Sequence, residues 1–386
     1  MNFESRRVIL CAVGTLSLCL LGITNARSQD AGASADQKPK MSQEAFKNVQ
    51  VLREIPVNEF MGTMGFFSAS LSMNCTDCHV KESAGNWARY ADDTPLKQTA
   101  RRMVLMENLI NRADFGGVRM VTCYTCHRGV QRPEITPSLA EQYGPPPPMD
   151  PDRVEARPGA PTTPEAAEKI LDKYIEAIGG TQRLEKIGSF AAKGTYAGFD
   201  TDFQKVAAEI YAKAPNQRTV INHLHGGPDT TTYDGREAWV AGSDKPLPLI
   251  VLTGGDLDGA KLDAALSFPA SLKQDLSNWR GGFPDVTIDG HAAEVVEATV
   301  AGGTRVKLFF DKQSGLLVRQ VRFIDTVVGL IPLHVDYSDY REVSGIKMPF
   351  RWQATWVDGQ STTELTDVKA NVAVAADRFA KPASSR

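Results

Sequence analysis

One pattern, Cys-x-x-Cys-His, occurs twice in this chain: Cys75-Thr76-Asp77-Cys78-His79 and Cys123-Tyr124-Thr125-Cys126-His127. It constrains the fold around it more than any other feature. Two thiols separated by two residues reach the two vinyl groups along one edge of a porphyrin, and the adjacent histidine turns its imidazole under the ring to hold the iron. The pattern is therefore the attachment signal for c-type haem, and two copies predict two covalent haems and one-electron chemistry. Zinc sites also use Cys-x-x-Cys, but both copies here carry the extra histidine. A thioredoxin-like redox motif belongs in a βαβ context that is not evident. A disulfide framework suits short secreted chains, and this one has 386 residues.

That length suggests two or three domains with enough apolar residue to bury a core. A net charge of −3 argues against nucleic acid as a partner and gives no support for attraction to a membrane surface. Of the six cysteines, four are consumed by the two motifs, and Cys11 and Cys19 lie in the leader. Arg6 and Arg7 form a positive n-region, Val8 to Ile23 is apolar, and Thr24-Asn25-Ala26 offers a cleavage site, so residues 1–26 read as a signal peptide. Ser5-Arg6-Arg7 hints at a twin-arginine signal, but such routes carry folded cargo and haem c is attached after export. Leu18 before Cys19 is too bulky for a lipobox. An uncleaved leader would instead serve as a membrane anchor, since no other stretch is long and apolar enough to span a bilayer. The expected location is periplasmic, with or without membrane association.

Residues 27–40 are small and polar and read as a flexible tether. The haem-bearing segment, 41–137, reads as mainly α. Phe46, Val49 and Leu52 recur at helical spacing up to Pro56. Phe60, Met64, Phe67 and Leu71 mark a second helix that runs into the first motif. Pro95 opens a third, with Thr99, Met103, Met106 and Ile110 on one face and Gly116-Gly117 at its end. The second motif follows, so the unit of methionine-bearing helix, short connection and Cys-x-x-Cys-His occurs twice.

These residues resemble the cytochrome c subunit of photosynthetic reaction centres, which is built from such repeats. The stretch from Met64 to Leu71, MGFFSASL, resembles the family's first ligand helix. RMVLMENLIN, from Arg102 to Asn111, resembles its second type, in which the ligand methionine stands five residues before an asparagine. CYTCHRG, from Cys123 to Gly129, is also similar. The resemblance implies Met64 and Met106 as the sixth iron ligands, opposite His79 and His127, with Cys75, Cys78, Cys123 and Cys126 as the attachment points. The family's well-known members carry four haems, whereas this chain has two motifs. A methionine on an apolar helical face is more often core filler than a ligand, and Met61 and Met103 lie one turn from the favoured residues. Two irons nevertheless need sixth ligands, and both histidines of the segment are proximal. Thioether ligation raises the potential and closes the iron to substrate, which suits a carrier rather than a peroxidase. Arg101, Arg102 and Arg128 are candidates for pairing with propionates or for a solvated charged face.

Residues 138–164 are rich in proline and read as a stiff linker that holds the next domain at a distance. Thr163 caps a helix with Pro164 at its first position and Ala166, Ile170, Tyr174 and Ile178 inward. Strands then follow over 206–212, 218–224, 237–241, 293–299, 305–310, 316–324, 333–340 and 351–356, with a helical insertion at 256–279. Residues 165–383 therefore read as an α+β domain dominated by a curved antiparallel sheet, weakly resembling the periplasmic lipoprotein-carrier half-barrel. No catalytic constellation is apparent there. His223 and His225 share a strand face but lack a third ligand, and His291 and His334 read as structural.

The function expected from the whole chain is periplasmic electron transfer with unidentified redox partner proteins or a membrane-associated electron-transfer complex. The β-domain would serve for docking or hold an apolar ligand. The alternative is a diheme, peroxidase-like enzyme with one open iron.

Overall fold

The computed structural model describes residues 38–382 apart from 157, 158, 160 and 244, so the expected signal peptide (1–26) and the expected tether up to 37 lie outside the described residues. The first segment is helical: α1 (Ser42–Ala45), α2 (Val57–Leu71), α3 (Cys75–Cys78), α4 (Pro95–Asp114), α5 (Cys123–His127) and α6 (Leu139–Tyr143). Capping explains several boundaries. Thr94 Oγ1 accepts from the Lys97 amide at 3.1 Å and Pro95 occupies the first position of α4. α2 ends where Ser72 turns left-handed at φ 50°. The helix expected over Phe46–Leu52 is not formed beyond α1. Asn48, Leu52 and Glu54 all have positive φ, and Ser42 Oγ ties down the Leu52 carbonyl at 2.7 Å. Side-chain bonds have replaced the helical ladder there.

After α7 (Pro164–Ala177) and α8 (Thr181–Leu184) the chain enters one antiparallel sheet. Its first half is β1 (Ser189–Gly198), β2 (Val206–Lys213), β3 (Gln217–Leu224), β4 (Gly227–Tyr233), β5 (Ala238–Ala241) and β6 (Leu249–Leu252). Two helices, α9 (Gly254–Ser267) and α10 (Leu272–Asp275), lead into the second half. That half comprises β7 (Leu276–Arg280), β8 (Val286–Ile288), β9 (His291–Val300), β10 (Arg305–Asp311), β11 (Leu317–Thr326), β12 (Gly329–Val343), β13 (Ile346–Trp356) and β14 (Gly359–Ala370). The spatial order is β6-β5-β4-β3-β2-β1-β14-β13-β12-β11-β10-β9-β7, with β8 on β9. The first and last strands are thus neighbours at mid-sheet, Phe190 opposite Ala370.

Strand periodicity divides the core into two faces. Val306, Leu308 and Phe310 join Leu171 and Tyr174 of α7, Ile178 at its end and Leu262 of α9 in the main cluster. The chain's own helices therefore fill this side of the sheet. Phe309, Val321 and Val295 point to the other face and pack with Val154, Phe283, Val286 and Ile288. Val154 belongs to the proline-rich segment, so residues 150–156 are not a spacer. Buried Lys307 donates to the Val154 carbonyl at 2.6 Å, and Asp152 bonds Arg319 (2.9 Å) and His334 (2.8 Å). The composition of the linker carries no trace of these partners.

The helical segment also packs on the sheet. Phe66 of α2 and Val104 of α4 share a buried cluster with Ile324, Val328 and Ile331 of the β11–β12 hairpin. Asn58 Nδ2 donates to the Thr253 carbonyl (3.1 Å) and to Asp256 (2.9 Å). A Cβ on Gly65 would come within 2.9 Å of the Asp358 carboxylate. Both segments belong to one compact unit.

Strands β1, β4, β6, β7, β8 and β14 escape the sequence reading. β1 and β4 carry alanine, glycine and threonine rather than alternating large apolar residues, and β14 is mostly polar, with Leu365 as its one large buried apolar residue. The expected insertion at 256–279 is helical only to Ser267, apart from short turns, and 276–280 is β7.

Candidate functional site

Both Cys-x-x-Cys-His motifs fold as single helical turns, which puts the two cysteines three residues apart on one face. Each turn is capped by the residue before it. Asn74 Oδ1 accepts from the Thr76 and Asp77 amides, and Thr122 Oγ1 from the Thr125 amide. None of Cys75, Cys78, Cys123 and Cys126 is in a disulfide.

The histidines carry the clearest geometric signal. His79 Nδ1 lies 3.2 Å from the Tyr90 carbonyl and His127 Nδ1 lies 3.1 Å from the Val130 carbonyl. A carbonyl only accepts, so each Nδ1 must carry its proton. The lone pair is left on Nε2, the arrangement of a metal-ligating histidine held by a backbone partner. Burial, helped by the Lys97 charge, holds His79 below its ordinary range and favours the neutral ring. Lys97 Nζ also donates to the Tyr90 and Asp92 carbonyls at 2.7 and 2.6 Å and so orders the loop against which His79 rests. Thr94 Oγ1 bonds the Cys78 carbonyl at 2.5 Å, which ties the first motif to the start of α4.

The second motif sits between α2, α4 and the hairpin. Gly129 donates to the Ser70 carbonyl of α2 at 3.0 Å, and Cys123 packs against the Phe66–Val104–Val328 cluster. Cys123 Sγ donates to the buried Glu107 carboxylate at 3.0 Å. Burial pushes Glu107 up, and burial together with Glu107 pushes Cys123 up. Asn111, also buried, clamps the extended segment entering the motif. Its Oδ1 accepts from the Met120 and Val121 amides at 3.0 and 2.9 Å, and its Nδ2 donates to the Val121 carbonyl at 2.7 Å. Glu107 and Asn111 are structural members of the site that hydrophobic periodicity passes over, since both are polar residues on the inward face of a helix.

Met64 is half-buried, on the side of α2 shared with Phe60, Phe67 and Leu71, while Phe66, Gly62 and Gly65 face the sheet. On α4 the protein-facing residues are Val104, Glu107 and Asn111. Met106 is 43% exposed, between Leu105 at 59% and Leu109 at 65%. Val118, Met120 and Tyr124, leading into the second motif, are exposed as well. Large apolar side chains left open beside two thiols and an oriented imidazole fit a flat apolar group such as haem. Arg101 pairs with Asp93 at 2.8 Å and Arg102 bonds Thr99 at 2.9 Å.

In the sheet, His223 pairs with Glu209 at 3.0 Å on the surface and His334 belongs to the Asp152 network. No cluster of three or more His, Cys, Asp or Glu suited to a metal occurs among the described residues. None of the described helices is long and apolar enough to cross a membrane.

Residues 21–144 match the family described as "Photosynthetic reaction centre cytochrome C subunit". The photosynthetic reaction center cytochrome c subunit of Thermochromatium tepidum is 38% identical over 104 residues, which are 25% of this chain and 24% of that one. The corresponding subunit of Rubrivivax gelatinosus is 31% identical over 94 residues, 21% of this chain and 26% of that one. The chain thus spans about a quarter of the length of these curated relatives. Among solved structures, a LolA superfamily protein from Nitrosomonas europaea aligns with 56% of this chain and 98% of its own, at 17% identity and a TM-score of 0.38. A putative outer membrane lipoprotein-sorting protein domain from Vibrio parahaemolyticus aligns with 55% of this chain and 97% of its own, at 11% identity and a TM-score of 0.39. The likeness of the first segment to the reaction-centre cytochrome family thus stands in the comparisons as well as in the motifs.

Proposed function

We propose that this chain is a periplasmic diheme c-type cytochrome that transfers electrons between protein partners, with a β-domain that docks it. The reading divides the chain into a haem-bearing segment (41–137), a connecting segment (138–164) and a β-domain (165–383). The observation that carries it is the pair of Cys-x-x-Cys-His turns whose histidines both spend Nδ1 on a backbone carbonyl. Cys75, Cys78 and His79 hold one haem c, and Cys123, Cys126 and His127 the other. When bound, each supplies reversible one-electron chemistry. This chain's residues bind it, orient the proximal imidazole and exclude water. Met64 and Met106 are the sixth ligands on this reading, which keeps both irons closed to small substrates.

Docking is preferred over apolar-ligand binding for the β-domain because the helix-facing side of its sheet is filled by Leu171, Tyr174, Ile178 and Leu262. The partners would be a one-electron donor and acceptor, in a membrane-associated complex of the kind formed by the reaction-centre relatives.

Intact mass of the mature protein under denaturing conditions should exceed the processed polypeptide by two haem groups. An optical redox titration should resolve two one-electron components. A mass increment of one haem or none would overturn the reading.

A further inference from the structure

We propose that the β11–β12 hairpin, Asp325 to Ile331, is the apolar backing behind Cys123 in the second haem site and sets the potential of that haem. This rests on the reading that Cys123 and Cys126 carry a haem.

The turn itself is the first sign. β11 ends at Thr326 and β12 begins at Gly329, which are directly paired, so Val327 and Val328 form the whole loop. Two-residue hairpin loops favour asparagine, aspartate and glycine, and β-branched residues gain nothing there from turn chemistry. Val328 is nevertheless only 1% exposed, at a position where a loop tip normally meets water. Its cover is the helical segment. Phe66 and Val104 share its cluster, and Cys123 and Val327 pack against that cluster.

The hairpin is also tied down on both sides. Asp325 at its base pairs with Arg119, on the segment entering the second motif. The Val327 backbone bonds the Glu59 carboxylate on α2. A Cβ on Gly329 would stand 2.4 Å from Phe66 Cζ, so the hairpin meets α2 as closely as backbone allows.

Ferric haem carries one more positive charge than ferrous. A dry apolar backing therefore disfavours the oxidised form and raises the potential. Val328→Thr keeps the shape of the side chain and adds a hydroxyl. In the full-length holoprotein it should lower one of the two midpoints, by three- to tenfold in that haem's reduction equilibrium, where tenfold is about 59 mV for one electron. The other midpoint should stay in place. Gly329→Ala, which pushes the hairpin off Phe66, should move the same midpoint. Leu330→Thr, on the exposed side of the same hairpin, should move neither. Haem content by mass separates this idea from the premise: with fewer than two haems, the premise fails. With both haems present, an unchanged pair of midpoints alongside a lowered Tm makes the hairpin mere packing and overturns the proposal. So do midpoints that shift together.

Discussion

On the diheme reading Met64 and Met106 would decide between carrier and enzyme, and they sit differently. Met64 is half-buried on α2, whereas Met106 stands in an open row on α4 beside Leu105 and Leu109. Replacing either by alanine should leave both haems attached, because attachment depends on the cysteines. Each change should remove one methionine-to-iron charge-transfer band, lower one potential and open one reduced iron to carbon monoxide. Met61→Ala and Met103→Ala should do much less. Carbon monoxide binding by one haem of the unmodified protein would favour the enzyme alternative. At this scale much of the site is legible in the sequence, since the spacing of Cys75, Cys78 and His79 is itself the chemistry. Glu107 and Asn111 are not, because their roles depend on which face of α4 turns inward. Arg101 was open to two readings, and Asp93 claims it in the structure.

Among the elements, the segment 150–156 departs furthest from its composition. Asp152 is almost fully buried between Arg319 and His334, with Asp336 on the far side of Arg319 and Lys307 on the neighbouring backbone carbonyls. Burial alone would raise its pKa. The His334 hydrogen bond and the Arg319 charge outweigh that and hold the carboxyl below the ordinary carboxylate range. A depressed acid stabilises the fold above its unfolded pKa, and the contribution is lost as pH falls through the folded value. Asp152→Asn should therefore cost about 1–3 kcal/mol in urea unfolding at pH 7, since Arg319 keeps Asp336. The gap from the unmodified protein should narrow as pH drops below about 4. An equal gap at pH 7 and pH 3.5 would sink the account. Helices such as α4 and α7 announce themselves through Thr94-Pro95 and Thr163-Pro164, because capping is local. The Asp152–Arg319 pair spans 167 positions and the Phe66–Val328 contact spans more, so neither leaves a local pattern.

For the whole molecule, two stretches of different periodicity are joined by side chains that neither stretch reveals alone. The alternation in β10 and the helical spacing in α2 suffice to say helical segment, then antiparallel sheet. They do not say that a hairpin from the second is lodged in the first. That lodging has a consequence in time. Asp325 follows Cys123 by about 200 residues, so in a chain exported unfolded from its N-terminus the second motif emerges well before the hairpin. On the diheme reading, Cys123 is then open to the haem-attaching enzyme before the hairpin reaches it. A chain stopped after Pro137 should accordingly carry two covalent haems by mass, even where the potential of the second is altered. Once the hairpin arrives it closes over a finished bond. On that reading maturation would run in one direction, with the sheet as the late seal over a haem already attached.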